Sequence, residues 1–585
     1  MDDQLSLETY YDEVLHVVTL HLLKEYGAEE AKNFDNHNFS HVYRIHQNNV
    51  AIDLAIPLHY PDSFPVVKIP DPYYARIYPI PHLDNEHTLC VFDSEEAHPN
   101  PENPIGVIDA VIERAFNIIQ QGLKKENISD FFDEINAYWA ENSSENILSL
   151  IQVNVSAREV NVIECEFPNL GKRLLAVDSV PEGIRWVSQA GGKSESTTRK
   201  AYYFPVRSIG VPPFPRTNGQ LMKRIQEYSP EIVTPFIQFL DQCKRPSMIL
   251  FSVETSNGRV LGAWEHQEPK QINRAAHQSK RKLERSIDGF RTGYRNARIE
   301  MNFFKDAVLK HYSVVRVEKE RLVTRGGDGV QSGLTKVGII GCGSIGSQIA
   351  NNLCDLGVDQ FMFIDKDLLT FENIARHLCG ATYVGENKVD AVGKSISSRL
   401  PYIRYNAYHG NILNILRSNE TILNGCDLTI VATANLPTEL RIDELQRLGI
   451  IDKPLLYVWV EPYLAAAHAV FINPMNPGCF RDLFDDMHQF RETVLDNPGQ
   501  YAIREAGCQS TYVPYSVIEV KRFIHELMFF VQEILEGKIK DNMLFTWVGK
   551  ISSQITTGRN VNDIWSDVKD YSVVMHKLIS EYIEK

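Results

Sequence analysis

The stretch Gly341-Cys-Gly-Ser-Ile-Gly346 follows the apolar run Lys336-Val-Gly-Ile-Ile and opens a helical pattern that ends near Gly357. Glycines let a backbone approach phosphate closely, and a helix N-terminus behind them offers unpaired amide donors and the positive end of its dipole. Asp365 closes the next apolar run, Gln360-Phe-Met-Phe-Ile, roughly twenty residues after the turn, where a carboxylate accepts hydrogen bonds from ribose hydroxyls. Gly341, Gly343, Gly346 and Asp365 therefore form a predicted nucleotide site. Incidental glycines in a tight turn would explain neither the strand before them nor the acid after them. A dinucleotide dehydrogenase shares these features, so the identity of the nucleotide rests on the residues beyond Asp365.

Thiols are the second source of chemistry. Nine cysteines, an odd number with no Cys-x-x-Cys spacing, argue against both a disulfide framework and a zinc ribbon, so single thiols become the candidates. A thiolate is a nucleophile that can hold an acyl group as a thioester, whereas most cysteines are small buried hydrophobes. Cys342, inside the glycine turn, is expected only to pack.

Several elements must position these groups. A chain of 585 residues exceeds one ordinary core and predicts two to four domains. With 43% hydrophobic and 23% charged residues the composition is that of a globular protein, and a net charge of -15 argues against general nucleic-acid binding. The basic stretch from Lys270 to Arg298 reads as a solvated, linker-like helix. The N-terminus has no basic region followed by an apolar run, and no apolar segment approaches the about 20 residues that cross a bilayer. The expectation is a cytoplasmic protein with no membrane span.

Residues 5–26 place Leu7, Tyr10, Tyr11, Val14, Val17 and Val18 at helical spacing, with Gly27 as a stop. Three short strands around Val42–Ile45, Val50–Ile56 and Val66–Ile69 then read as an antiparallel meander. A Pro-rich loop carrying Cys90 follows, and helical stretches are predicted from Gly106 to Leu123 and from Ser129 to Ser149. The middle region, from about 151 to 315, shows short apolar strands but no assignable chemistry. From Lys336 strands and helices alternate, which predicts a mostly parallel sheet with helices on both faces. The predicted fold class is multi-domain α/β and α+β, with domains at 1–150, 151–315 and 316–585.

After Asp365 the chain reads Asp365-Lys-Asp-Leu-Leu-Thr-Phe-Glu-Asn-Ile-Ala-Arg376 and then Gly385-Glu-Asn-Lys388. With the glycine turn, this combination resembles the ThiF, MoeB and ubiquitin-activating adenylation superfamily and implies a Rossmann-like domain at 316–585. The resemblance implies ATP and Mg²⁺, with Asn373 holding the nucleotide and Arg376 and Lys388 neutralising its phosphates while a carboxylate attacks the α-phosphorus. Relatives place a magnesium-binding Asp in a Thr-Asp-Asn element, but this chain reads Thr433-Ala-Asn435. Either Asp427, Asp367 or Asn435 compensates, or ATP phosphates and water hold most of the magnesium shell, and the metal ligand stays unassigned. Arg321 and Arg325 are candidates for an upstream arginine that relatives supply. Cys479 matches the first cysteine of a zinc pair in relatives, yet Asp482 replaces the second, so no structural zinc is expected. Cys508, in Ala506-Gly-Cys-Gln-Ser-Thr-Tyr before a helix predicted from Ser516 to Leu535, resembles the catalytic cysteine of the crossover loop in activating enzymes.

Residues 1–150 resemble a ubiquitin-conjugating enzyme, carried by Tyr60-Pro-Asp-Ser-Phe-Pro and by Pro81-His-Leu-Asp-Asn-Glu-His-Thr-Leu-Cys90-Val-Phe-Asp. Cys90 is then the acyl-accepting thiol. The family's His-Pro-Asn triplet upstream of it is missing, which leaves His82 and Asn85 as possible oxyanion stabilisers. Together the two resemblances match bacterial antiphage fusions of a conjugating-like and an activating-like domain joined by a linker domain. They imply activation of a protein C-terminus, capture on Cys508, transfer to Cys90 and ligation to an amine. By that resemblance the substrate is the C-terminus of a cGAS-like cyclic-dinucleotide synthase, and the enzyme is a homodimer. The competing readings are a sulfur-carrier activator of ThiF or MoeB type and a nucleotide-binding scaffold without chemistry.

Overall fold

The computed structural model describes residues 6–93, 97–141, 143–154, 156–242, 247–256, 258–266, 305–326, 336–504 and 511–583. Cys508 and the basic stretch from Lys270 to Arg298 lie outside the described residues. The chain forms two compact units. One comprises Met1–Glu164, Lys172–Gly183 and Glu195–Arg316, and the other Cys165–Gly171, Ile184–Ser194 and Val317–Lys585.

The first unit begins with a helix, Leu7–Tyr26, whose Ser6 hydroxyl accepts the Thr9 N–H and whose end is turned by Gly27 at φ 57°. Five antiparallel strands follow in sequence order: Glu29–Glu30, Phe39–Gln47, Val50–Pro57, Val66–Lys68 and Thr88–Leu89. The helix Pro104–Lys124 carries an apolar stripe of Val107, Ile108, Val111, Ile112, Ala115 and Ile119. That stripe joins Ile45, Ile52, Leu54 and Ile56 of the sheet in one core.

The segment Ser129–Ser149 departs from its predicted single helix. Short helices span Asp130–Asp133 and Ile135–Glu141, and Ser143–Ser149 is a strand. That strand lies between Lys310–Arg316 and Gly171–Val177, parallel to both, and buries Ile147 completely. Sheet partners distant in sequence override the local helical spacing. The strand belongs to a closed seven-stranded barrel. In order around it are Ser247–Thr255, Gly258–His266, Lys310–Arg316, Ser143–Ser149, Gly171–Val177, Arg158–Phe167 and Lys193–Val206. Trp139, Phe204, Phe236, Phe251 and Trp264 build an aromatic cluster against it.

The second unit is built on an eight-stranded sheet in the order Arg404–His409, Gln360–Asp365, Lys336–Ile340, Leu428–Val431, Leu455–Val460, Ala466–Ile472, Met543–Val548, Ser572–Leu578. Along this order the first four pairings are parallel and the last three antiparallel. Alternate residues of each central strand enter opposite cores. Val337, Ile339, Phe361 and Phe363 pack with the helices Ser344–Asp355, Lys388–Arg399 and Val517–Leu535. Ile340, Met362 and Ile364 pack with Ile412–Ser418 and Leu436–Arg447. Burial on both faces explains why these strands read as unbroken apolar runs. Among the described residues, no helix is long and apolar enough to cross a membrane.

Candidate active sites

The parallel half of the second sheet changes winding direction between Lys336–Ile340 and Leu428–Val431, and the crevice at such a point is where open α/β sheets bind ligands. A cavity of about 460 Å³ lies there, lined by Gly341, Gly343, Asp365, Asp367, Lys388, Ala434, Asn435 and Thr438 among others. Gly341 sits at φ 90°, and a Cβ on it would lie 2.5 Å from the Ala432 carbonyl oxygen. Both the conformation and the space demand glycine here. Gly346 does not line the cavity. It is buried in the helix, where a Cβ would strike the Gly341 carbonyl, so its role is close packing of helix against turn.

Asp365 orders the turn with both oxygens. Oδ2 accepts the Cys342 N–H at 2.7 Å and Oδ1 the Asp367 N–H at 2.9 Å, which leaves each oxygen a further lone pair. Lys388 begins the helix Lys388–Arg399, its Nζ 3.1 Å from Asp367 Oδ2. Four of the seven predicted nucleotide-binding residues thus meet at the cavity, Gly341, Gly343, Asp365 and Lys388, together with the magnesium candidates Asp367 and Asn435. Asn373 and Arg376 are not among its lining residues. Asn373 Oδ1 accepts the Thr370 N–H and hydroxyl, both at 3.2 Å, and the Arg376 guanidinium lies 5.2 Å from the centre of the Tyr515 ring. Arg321 and Arg325 are exposed on the helix Lys319–Gly326, also away from that lining.

Two features here have no sequence motif. His377 is buried, its Nε2–H donating to the Cys342 carbonyl at 2.7 Å while its Nδ1 accepts the Cys379 N–H at 3.0 Å. This pins a neutral ring under the turn, and burial lowers its pKa. Glu439, also buried, accepts the Thr433 hydroxyl at 2.8 Å and holds the strand-to-helix connection, and burial raises its pKa. Asn435 caps the helix Leu436–Arg447 through Thr438.

Asp427 cannot face the phosphate end of the site. Its Oδ2 accepts the Lys336 N–H at 3.0 Å, at the opposite end of the strand from the glycine turn. Among the described residues no group of three or more His, Cys, Asp or Glu gathers as for a metal ion. Cys479 is held by Asp482, whose Oδ2 accepts its N–H at 2.8 Å. Burial, then the Asp443 and Asp482 charges, push its thiol up to about 12, which suits packing rather than attack. Cys342 is fully buried.

In the first unit, Cys90 is exposed just after the strand Thr88–Leu89, and its N–H donates to the His82 carbonyl at 2.8 Å. His82, at φ 66°, places its ring between two carboxylates, with Nδ1 2.8 Å from Glu134 and Nε2 3.1 Å from Asp130. The Tyr138 hydroxyl accepts the His82 N–H at 2.6 Å and donates to Glu134 Oε2 at 2.8 Å. Hydrogen bonding to Glu134 outweighs burial and raises the His82 pKa. Burial works against Glu134, yet His82 still holds its carboxyl below the usual range. Partial burial, then the charges of Glu134 and Asp93, push the Cys90 thiol up, with Arg114 opposing. With both ring nitrogens committed, His82 is no spare oxyanion donor, and Asn85 stands exposed in the neighbouring turn.

Two family models match the chain: the ThiF family over residues 327–506 and prokaryotic E2 family B over residues 22–148. The ATP-dependent ubiquitin transferase-like protein Cap2 of Pseudomonas aeruginosa is 24% identical over 35% of this chain and 37% of its own length. Cap2 of Enterobacter hormaechei is 42% identical over 14% of each chain. The chain thus spans well under half the length of these curated relatives. Ubiquitin-like modifier-activating enzyme 5 of Bombyx mori is 25% identical over 25% of this chain and 38% of its own. A crystal structure of Escherichia coli MccB with AMPCPP and MccA covers 37% of this chain and 61% of that one at 18% identity. Its TM-score of 0.29 is too low to support any residue assignment. The chain carries in one polypeptide a region that matches prokaryotic E2 family B and a region that matches the ThiF family, and it is similar to the Cap2 proteins.

Proposed function

We propose that this chain activates a protein C-terminus with ATP and ligates it to an amine. ATP supplies the adenylyl group that turns the carboxylate into a reactive mixed anhydride, with pyrophosphate leaving. Gly341, Gly343 and the helix N-terminus at Ser344 receive phosphate, Asp365 receives the ribose, and Lys388 neutralises charge, with Asn373 and Arg376 closing on the nucleotide from the adjoining loop. Mg²⁺ usually keeps several waters and one or two protein carboxylates, so half-exposed Asp367 is the residue that would hold it. Cys508 takes the acyl group as a thioester and Cys90 receives it by exchange. Within this reading residues 151–315 are the linker between 1–150 and 316–585, and two copies pair through their adenylation domains in the cytoplasm. The substrate is the tail of a cGAS-like nucleotidyltransferase, in antiphage defence.

The observation that carries the reading is the glycine-turn cavity with Lys388 on a chain that also presents an exposed thiol at Cys90. Cys90→Ala tests it. The variant should still consume ATP with a suitable tail and form the Cys508 adduct, while transfer to amines is abolished. Unimpaired transfer would overturn the conjugating role and favour a sulfur-carrier activator whose N-terminal domain only docks.

A further inference from the structure

Carboxylate oxygens only accept hydrogen bonds, so a ring with a carboxylate at each nitrogen donates from both. His82 is therefore an imidazolium between Asp130 and Glu134. Two carboxylates and one cation leave the cluster a net negative charge, tied to Cys90 through the Cys90 N–H that the His82 carbonyl accepts at 2.8 Å. Glu134 is the best held member. His82 grips Oε1 and Tyr138 grips Oε2, while Tyr138 is itself fixed by the His82 backbone N–H. Each Glu134 oxygen retains a second lone pair for an incoming N–H.

We propose that Glu134 carries the proton between the attacking amine and the departing sulfur at Cys90, with His82, Asp130 and Tyr138 as positioning residues. The proposal rests on reading Cys90 as the acyl-carrying thiol. A neutral amine nitrogen attacks the thioester carbonyl carbon and a C–N bond forms. The now positive nitrogen gives a proton to Glu134. The C–S bond breaks as the carbonyl re-forms, the electron pair goes to sulfur, and Glu134 returns the proton to it. Amide and thiol result, and Glu134 is again a carboxylate. The return step is the one both perturbed groups favour, since a Glu134 carboxyl held below its usual range gives up its proton readily and a Cys90 thiol pushed above its own takes it.

The two halves of Cys90 chemistry should respond to Glu134→Gln with opposite signs. The full chain carrying Cys508→Ala is charged at Cys90 by exchange with a short glycine-ended peptide supplied as a small-thiol thioester. Peptide mapping locates the adduct, and its discharge to free L-lysine is timed. Glu134→Gln should charge at least as fast as its parent, because a charge that disfavours the thiolate is gone, yet discharge about 10²-fold more slowly. Glu134→Asp, which keeps the carboxylate, should recover part of the discharge rate, and Tyr138→Phe should slow it several-fold. Discharge of Glu134→Gln at the parent's rate, or charging and discharge falling together, overturns the proposal. If the parent adduct reacts with lysine no faster than the free peptide thioester, the acyl-carrying role of Cys90 fails, and that of Glu134 with it.

Discussion

Replacing Lys388 with alanine separates catalysis from stability. The Lys388 side chain is only 12% exposed, so solvent screens its charge weakly, whereas its partner Asp367 is 53% exposed and can rehydrate when the ammonium is removed. Because Asp367 rehydrates, the folded state should lose only about 1 kcal/mol, the upper end of the range for pairs open to solvent. Melting of the second unit should move by only about 2–4 °C. In the proposed reaction Lys388 is the charge that meets the phosphates, and removal of one such donor costs about 10²–10³-fold, or about 2.7–4 kcal/mol. Tail-dependent exchange of pyrophosphate into ATP is the assay, with kcat/KM as the readout. Lys388→Arg keeps the charge on a planar fork and should fall between, at roughly tenfold loss. Exchange by Lys388→Ala within about threefold of the parent would refute the assignment, as would a large loss matched by a collapse in melting temperature.

Gly341→Ala must accept a Cβ at φ 90° and 2.5 Å from the Ala432 oxygen, so nucleotide protection in a thermal melt should vanish and stability fall by more than about 1 kcal/mol. Buried Glu461 accepts N–H groups from His468 at 3.0 Å, Val494 at 2.8 Å and Leu495 at 2.9 Å. Glu461→Ala strands all three and should cost about 3–5 kcal/mol, read as a fall in melting temperature on the order of 10 °C. His82 has a raised pKa, so its stabilisation is complete below about pH 6.5 and fades as pH rises through the higher folded value. The melting gap between parent and His82→Gln should then be wider at about pH 5.5 than at about pH 8.5. His377, lowered by burial, has the opposite sign and loses its contribution as pH falls below about 6.5.

The glycine turn is legible in the sequence because its logic is local: strand, glycines, helix and acid succeed one another along the chain. Spacing alone does not say which way a side chain faces, which is why Asn373 and Arg376 lie off the cavity lining while Lys388 reaches it. The Thr433–Asn435 element stands out in sequence for the missing acid at Ala434, but the Thr433 hydroxyl bound to Glu439 needs coordinates. Ser143–Ser149 reads as helix because its strand partner Lys310–Arg316 lies far along the chain. The His82, Asp130 and Glu134 cluster is hidden for the same reason. Its members meet only when the segment after the helix Pro104–Lys124 folds back beside Cys90.

Intact-mass spectrometry of the full chain with ATP, Mg²⁺ and proteins bearing candidate C-termini, the cGAS-like tail among them, tests the central claim most directly. The predicted result is an ATP-dependent gain equal to the tail less one water, mapped to Cys508 and Cys90 and released by a thiol reductant. In Cys90→Ala only the Cys508 adduct should remain. ATP turnover that yields an activated or thiocarboxylated tail with no acyl adduct on either cysteine would contradict it.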